Sequence, residues 1–244
     1  MNDASVPWVR RALAANSGVL IAALVFAVLL GTVAGINTGP LTYFDISFMS
    51  SGGATSALAA IGQTIVILSG GFDLSAGAVI SLVNVFLAQS MDPANMEASV
   101  LLWSLAGIGI GMLCGAFNGI FIAFLRLQPI VVTLSTMFII QGVTLLLMDK
   151  PGGFVSPSIG AFYMGDAIPG WIPMPLVVVG GVLLAWAWLK RTRLGTAIYA
   201  VGSDPDAAAA VGVRVPFVRF LVYVIAGGCY GLAGVFISAQ TGSG

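Results

Sequence analysis

Between Glu97 and Arg126 the chain runs 28 residues without a charged side chain. A soluble domain seldom does this, because about a quarter of its residues are charged and keep its surface in water. Here charged residues make up 7% of the 244 and hydrophobic ones 59%. The chain is therefore read as an all-α polytopic transmembrane helix bundle. The same composition excludes several activities. Nine Lys and Arg balance nine Asp and Glu, which leaves neither a basic field for nucleic acid nor an acidic tail. Histidine is absent, which removes Ser-His-Asp and Cys-His catalysis and His-based zinc sites. Cys114 and Cys229 lie far apart in apolar stretches and suit neither a disulfide framework nor a Cys-rich metal motif.

A helix needs roughly 20 apolar residues to cross the hydrocarbon core. Charge-free runs then give about seven spans, near 18–38, 54–70, 74–90, 98–124, 127–148, 171–189 and 219–239. The first follows Arg10 and Arg11, is too long for a signal-peptide core and lacks a small-residue cleavage site, so it is expected to be a retained signal anchor. Orientation follows from the basic residues, which accumulate on the cytoplasmic side. With the N-terminus in the cytoplasm, Arg10, Arg11, Arg126, Lys190, Arg191, Arg193, Arg214 and Arg219 fall inside and only Lys150 outside. Segments 39–53, 91–97 and 149–170 are then external.

Apolar helices gain little by burying apolar surface from lipid, so they associate through close contact at small residues. Gly107, Gly111, Gly115 and Gly119 recur every four residues along one face of the fourth span. Gly31/Gly35 and Gly227/Gly231 repeat the spacing in the first and seventh. These stripes predict a compact bundle. Gly107-x-Gly109-x-Gly111 is no dinucleotide fingerprint, because it lies within the charge-free run and not after a strand.

A charge within the bilayer needs a reason. Asp73 is the candidate, in Ser69-Gly-Gly-Phe-Asp73-Leu-Ser75-Ala-Gly77. Gly70 and Gly71 allow a turn, and Asp73 is expected to be the N-cap of the next helix, with Ser75 in its first turn. Two readings stand: a discontinuous helix lining a transport path, or a capped turn at the cytoplasmic edge, which the chemistry alone favours. Gln63, Asn84, Asn118 and Gln141 are uncharged polar residues within spans. With Asp73 they are the candidates for a substrate pathway; bonding between helices is the alternative for each.

Segment 190–219 holds five of the nine positive charges and a short helix with both ends marked. Ser203 or Asp204 is the expected N-cap, Pro205 suits the first position, and Asp206 complements the dipole. Ala207, Ala208, Ala209 and Ala210 propagate the helix, and Gly212 ends it. So short a helix needs a docking surface: its own bundle, or a groove in a cytoplasmic partner.

These residues resemble the permease subunit of ribose-type sugar ABC importers, within the branched-chain amino-acid/ribose permease superfamily. Gly70-Gly71-Phe72-Asp73-Leu74-Ser75-Ala76-Gly77 is similar to the family pattern Gly-Gly-[Ile/Phe]-Asp-Leu-Ser-x-Gly. Gly195–Gly202 followed by Asp206-Ala207-Ala208 and Gly212-Val213 resembles the stretch through the coupling helix. Asn118-Gly119 and Pro129-x-x-Val132-Thr133-Leu134 also match, so the resemblance runs from about residue 50 onward. Branched-chain amino-acid permeases share the architecture without the Asp-Leu-Ser signature, so sugar is the expected cargo. Two departures stand out. Gly202-Ser203-Asp204 replaces the usual Gly-x-Asn, though Asp also caps well. Family members also continue through further spans and a glycine-rich motif beyond Gly244, so a truncated product, a split permease or an excised domain is expected.

The resemblance implies a non-enzymatic, multi-pass inner-membrane pore subunit without metal or cofactor of its own. It implies a cytoplasmic ABC ATPase, a periplasmic sugar-binding protein and a second permease copy, homo- or heterodimeric, in contact with membrane lipid. The ATPase contact would be Asp204, Asp206, Ala207, Ala208, Ala209 and Gly212. The chain has no GxxxxGK[ST] loop, and neither Lys150 nor Lys190 follows a glycine, so ATP is expected to be bound by a partner. The alternatives are a permease for another small polar solute, such as branched-chain amino acids, or a secondary transporter. An ion-coupled transporter normally carries intramembrane ionisable groups, often in inverted repeats, and a single Asp is thin support for it. An intramembrane enzyme would need a second acid in a span neighbouring Asp73, whereas Asp45 and Asp92 are expected in loops.

Overall fold

The structure, a computed structural model, describes residues 17–36, 39, 41–94 and 96–244. Arg10 and Arg11, which argue for a cytoplasmic N-terminus, lie outside the described residues, as do 37 and 38 at the end of the first expected span. The chain forms two compact units, Met1–Ile46 and Ser47–Gly244. In the first, α1 (Ser17–Ile36) buries none of its side chains, and Gly31 and Gly35 have nothing within 4 Å of where a Cβ would stand.

Helix α2 (Tyr43–Leu68) begins well before residue 54, where the sequence placed the span. Its start is capped: Asp45 Oδ2 accepts from the amide of Thr42 at 2.7 Å and from its hydroxyl at 2.6 Å. This is the reciprocal arrangement of a capping box, with a carboxylate three residues into the helix. Asp45 thus lies in the first turn of a helix and not in a loop.

The second unit continues through α3 (Ala76–Ser90), α4 (Val100–Ala123), α5 (Pro129–Leu147) and the short α6 (Pro157–Tyr163). A two-stranded antiparallel hairpin follows, β1 (Asp166–Ile168) and β2 (Ile172–Pro173). Gly170 turns it at φ +72°, with its amide bonded to Asp166 Oδ2 at 3.1 Å. The remaining helices are α7 (Met174–Leu189), α8 (Arg193–Ser203), α9 (Pro205–Ala210) and α10 (Val215–Thr241). Residues 171–173 thus belong to the hairpin, and α10 opens a turn before Arg219 because Pro216 can occupy its unbonded first turn.

Seven apolar helices stand where the sequence places seven spans, but they differ in reach. Among the described residues five are long and apolar enough to cross a membrane: α1, α2, α4, α5 and α10. A sixth span is formed if α7 and α8, bent by 80° at a short break, are taken together. Helix α3 has 15 residues, about 22 Å at 1.5 Å per residue, and falls short of a hydrocarbon core of about 30 Å.

Helix α10 is the centre of the second unit, with fourteen buried residues. It runs antiparallel to α4 along the predicted glycine stripe. A Cβ on Gly111 would overlap the Gly227 carbonyl, one on Gly115 the Tyr223 carbonyl, and one on Gly231 the Gly107 carbonyl. Backbones this close allow dispersion contact along the whole face, which is what associates helices in lipid. On other faces of α10, a Cβ on Gly62 of α2 would stand 2.7 Å from the Tyr230 ring, and one on Gly234 2.6 Å from Val83 of α3. At the far end, Phe236 meets Tyr163 of α6 edge-on at 4.7 Å. The Tyr163 hydroxyl is 2.6 Å from Ser104 Oγ of α4.

Gly111→Val should push α4 and α10 apart, with a loss of about 3 kcal/mol or more. Gly109→Ala, on the same helix with nothing within 4 Å, should leave stability unchanged. Thermal unfolding of both variants in mild detergent checks this; equal midpoints would remove the stripe as the packing face.

Candidate functional site

Helix α2 stops because Gly70 takes φ +76°, a left-handed conformation costly to residues with a Cβ. Its closing turn is a Schellman motif: the Gly71 amide bonds the Val66 carbonyl at 3.0 Å and the Gly70 amide bonds Ile67 at 2.9 Å. The Ser69 hydroxyl adds a bond to the Val66 carbonyl at 2.8 Å. Helix α3 then starts at Ala76 with Ser75, not Asp73, in the N-cap position. Asp73 stands two residues further out. Its Oδ1 accepts from the Ser75 amide at 2.8 Å and the Ser75 hydroxyl at 2.6 Å, an Asx-type turn that fixes the approach to the helix. The expected cap is thus corrected by position, while its carboxylate still organises the break.

Neighbouring helices hold this break on all sides. Asn118 of α4 donates from Nδ2 to Ser75 Oγ at 2.9 Å. Thr133 of α5 accepts from the Leu74 amide at 3.1 Å. Tyr223 of α10 donates to the Phe72 carbonyl at 3.0 Å. Asp73, Ser75, Asn118 and Thr133 are all buried. The sequence singled out Asp73 and Asn118; Ser75 as the hub, Thr133 and Tyr223 were missed. One signal was available: Tyr223 and Tyr230 lie seven residues apart in an apolar helix, two turns along one face.

The other candidates do not join this cluster. Gln63 of α2 accepts from the Tyr230 hydroxyl at 3.0 Å. Asn84 of α3 is half-buried, with its Oδ1 unbonded among the described residues, and so is the Oδ1 of Asn118. Gln141 is exposed on the outer side of α5. The five thus fall into one buried cluster and three separate positions.

The short helix forms as its residues predict. Asp204 is its N-cap, with Oδ1 accepting from the amides of Asp206 at 2.9 Å and Ala207 at 3.0 Å, and Pro205 occupies the first turn. Gly212 ends it at φ +88°. The Val213 amide reaches the Ala208 carbonyl and the Gly212 amide the Ala209 carbonyl, both at 3.0 Å, in a second Schellman motif. The four alanines are not equivalent. Ala208 is buried in the bundle's own core beside Val218 and Val222, whereas Ala207, Ala209 and Ala210 face outward and Val211 is 80% exposed. Of the two docking surfaces considered for this helix, its own bundle holds one side, and the other side is exposed among the described residues.

Removal of the Asp73 side chain strands the Ser75 amide in a buried site. Asp73→Ala should therefore lower stability by about 1–3 kcal/mol. Asp73→Asn keeps an Oδ1 acceptor and should cost less than half of that. Chemical denaturation in detergent micelles reads the difference; if Asn costs as much as Ala, the negative charge and not the turn is what the position requires.

Residues 46–244 match the family described as branched-chain amino acid transport system / permease component. Over 189 residues the chain is 37% identical to the galactofuranose transporter permease protein YtfT of Escherichia coli K12, covering 77% of this chain and 54% of that protein. It is 31% identical over 194 residues to the ribose import permease protein RbsC of the same strain, covering 78% and 60%. It is 32% identical over 206 residues to the D-allose transport system permease protein AlsC, covering 83% and 62%. The chain thus spans between about half and two-thirds of the length of these relatives. No solved structure matches it. A match over residues 46–244, with the helix break and the capped helix both inside it, means that the chain is a multi-pass membrane protein belonging to the branched-chain amino acid transport system / permease component family.

Proposed function

We propose that the chain forms part of the transmembrane pore of an ATP-driven monosaccharide importer of the inner membrane. It would work with a cytoplasmic ABC ATPase, a periplasmic sugar-binding protein and a second permease copy. The observation that carries this reading is the capped α9, anchored by Ala208 while Ala207, Ala209, Ala210 and Val211 face outward. A short rigid helix with small outward side chains lets a partner's surface approach its backbone closely. Sugar is favoured as cargo because the relatives named above are galactofuranose, ribose and allose permeases. ATP is hydrolysed by the partner and the chain itself does no covalent chemistry. Asp204, Asp206 and Gly212 hold the helix in shape; Ala207 and Ala209 present it.

The structure sharpens the test of this contact. Ala208→Trp overfills the chain's own core and should cost 1–3 kcal/mol or more of stability, so it reports on folding. Ala207→Trp points outward; it should leave the unfolding midpoint unchanged and abolish co-purification of the ATPase. Wild-type amounts of ATPase with Ala207→Trp would remove the coupling assignment.

The orientation belongs to the same proposal: N-terminus and residues 190–219 cytoplasmic, 149–170 periplasmic. It rests on the distribution of basic residues. With Cys114 and Cys229 replaced by Ala, a membrane-impermeant maleimide should label Trp171→Cys in intact spheroplasts and label Ser203→Cys only after lysis. External labelling of Ser203→Cys reverses the topology.

A further inference from the structure

A groove of about 880 Å³ opens where α4 ends and α10 begins. Its walls include the α2 break at Ser69–Gly71, the α4–α5 link, α9 and the first turns of α10. Three arginines line it from two elements: Arg126 from the α4–α5 link, and Arg214 at the N-cap position of α10 with Arg219 one turn further on. Among the described residues none of the three forms an ion pair. The one acid in the lining is Asp206, so the groove carries a net charge of two positives. Beside the arginines stand exposed apolar side chains, Phe124, Leu127 and Phe217. The Phe124 ring lies 5.8 Å from that of Phe220, tilted by 47°, which places this rim at the ends of two membrane-length helices.

Each part of this arrangement narrows the occupant. Guanidinium groups brought together from the α4–α5 link and the start of α10 suit the oxygens of a phosphate. A free inorganic anion would satisfy them and leave the aromatic rim in water. An acidic peptide would meet the arginines in the same way, with no use for an apolar rim at the level where a span ends. A phospholipid uses both, as basic pockets between helices do at the membrane surface. We propose that this groove holds the phosphate of an anionic glycerophospholipid between Arg126, Arg214 and Arg219, with its acyl chains along Phe124, Leu127 and Phe217. The two net positive charges suit a headgroup with two phosphodiesters best. The bound lipid would lie between α9 and the helix break and lock the two together from the membrane side. Asp206 and Ala209 line the groove and also belong to the proposed ATPase contact, so the lipid site is read through the three arginines and the ATPase contact through Ala207, which does not line the groove.

The test uses the chain purified in mild detergent and titrated with phosphatidylglycerol, cardiolipin, phosphatidylcholine or inorganic phosphate. Bound lipid is counted by native mass spectrometry, and the unfolding midpoint is followed in parallel. Cardiolipin and phosphatidylglycerol should bind and raise the midpoint, in that order, and phosphatidylcholine should do neither. Each Arg→Gln change should weaken binding about fivefold, and the triple change on the order of a hundredfold, from about 1 kcal/mol per basic residue at the surface. Arg219→Lys should retain most of the affinity, and Arg191→Gln, outside the groove, all of it. Should the triple variant fail to fold, the single variants and the competition on the wild-type chain decide the matter. Equal binding of phosphatidylcholine, or equal loss with Arg191→Gln, overturns the site as unspecific surface attraction. Displacement of lipid by inorganic phosphate overturns it in favour of a free-anion site. Retained lipid affinity in variants that lose co-purified ATPase assigns the groove to the protein partner instead.

Discussion

Everything in the second unit is referred to one contact, the approach of α4 and α10 along facing glycines. In lipid there is no hydrophobic gain from pressing two apolar helices together, so contact distance decides whether they associate. With Gly111 against Gly227 and Gly107 against Gly231, the two backbones touch without intervening side chains. That closeness carries Tyr223, one turn before Gly227 on the same row, and Tyr230, next to Gly231, to fixed positions. Tyr223 then reaches the Phe72 carbonyl and Tyr230 reaches Gln63. A wider separation would draw both hydroxyls away from their acceptors. The glycine stripe therefore sets the geometry of the polar site as well as the packing.

The break between α2 and α3 illustrates how polar groups are tolerated among apolar helices. Five of its groups, the Phe72 carbonyl, the Leu74 amide, the Ser75 amide and hydroxyl, and the Asp73 carboxylate, each have a named partner. Unbonded, such groups would cost several kcal/mol each in a lipid-like interior. Partners come from α4, α5 and α10, so the break forms only when all three helices are in place. It is thus a joint specified by its own turn residues, Gly70, Asp73 and Ser75, together with tertiary contact. The Oδ1 of Asn118, buried and unbonded among the described residues, is where this satisfaction is incomplete.

Features that depend on local chemistry were legible in the sequence. The apolar runs gave the helices to within a few residues at most ends, and Asp204-Pro205 and Gly212 marked α9 correctly. Features that depend on what lies across the interface were not. The four alanines of α9 present no apolar or polar pattern, so nothing local tells that Ala208 faces inward. Gln141 and Asn118 look alike as single amides in apolar helices, yet one is exposed and the other fully buried. The start of α2 was misplaced for a different reason: residues 43–53 are rich in serine and glycine, and the Thr42–Asp45 capping pair outweighs their weak propensity.

Contact continues from α9 to the break by way of α8. The last turn of α8 lies directly against the end of α2: a Cβ on Gly202 would overlap the Leu68 carbonyl, and Gly70 lies 3.7 Å from the Gly202 Cα when given a Cβ. Asp204 caps α9 two residues later, with its own amide bonded to the Ala200 carbonyl of α8 at 3.0 Å. Helices α8 and α9 are therefore one rigid corner, and its apex rests on the residues that terminate α2. A push on the outward side of α9 has no loop in which to dissipate before it meets Leu68 and Ser69. Ala208, set in the core beside Val218 and Val222, ties the same corner to α10. Under the proposed coupling role, a displacement of α9 would have to move the end of α2 and the start of α10 together, and α10 carries Tyr223, one of the residues bonded to the break.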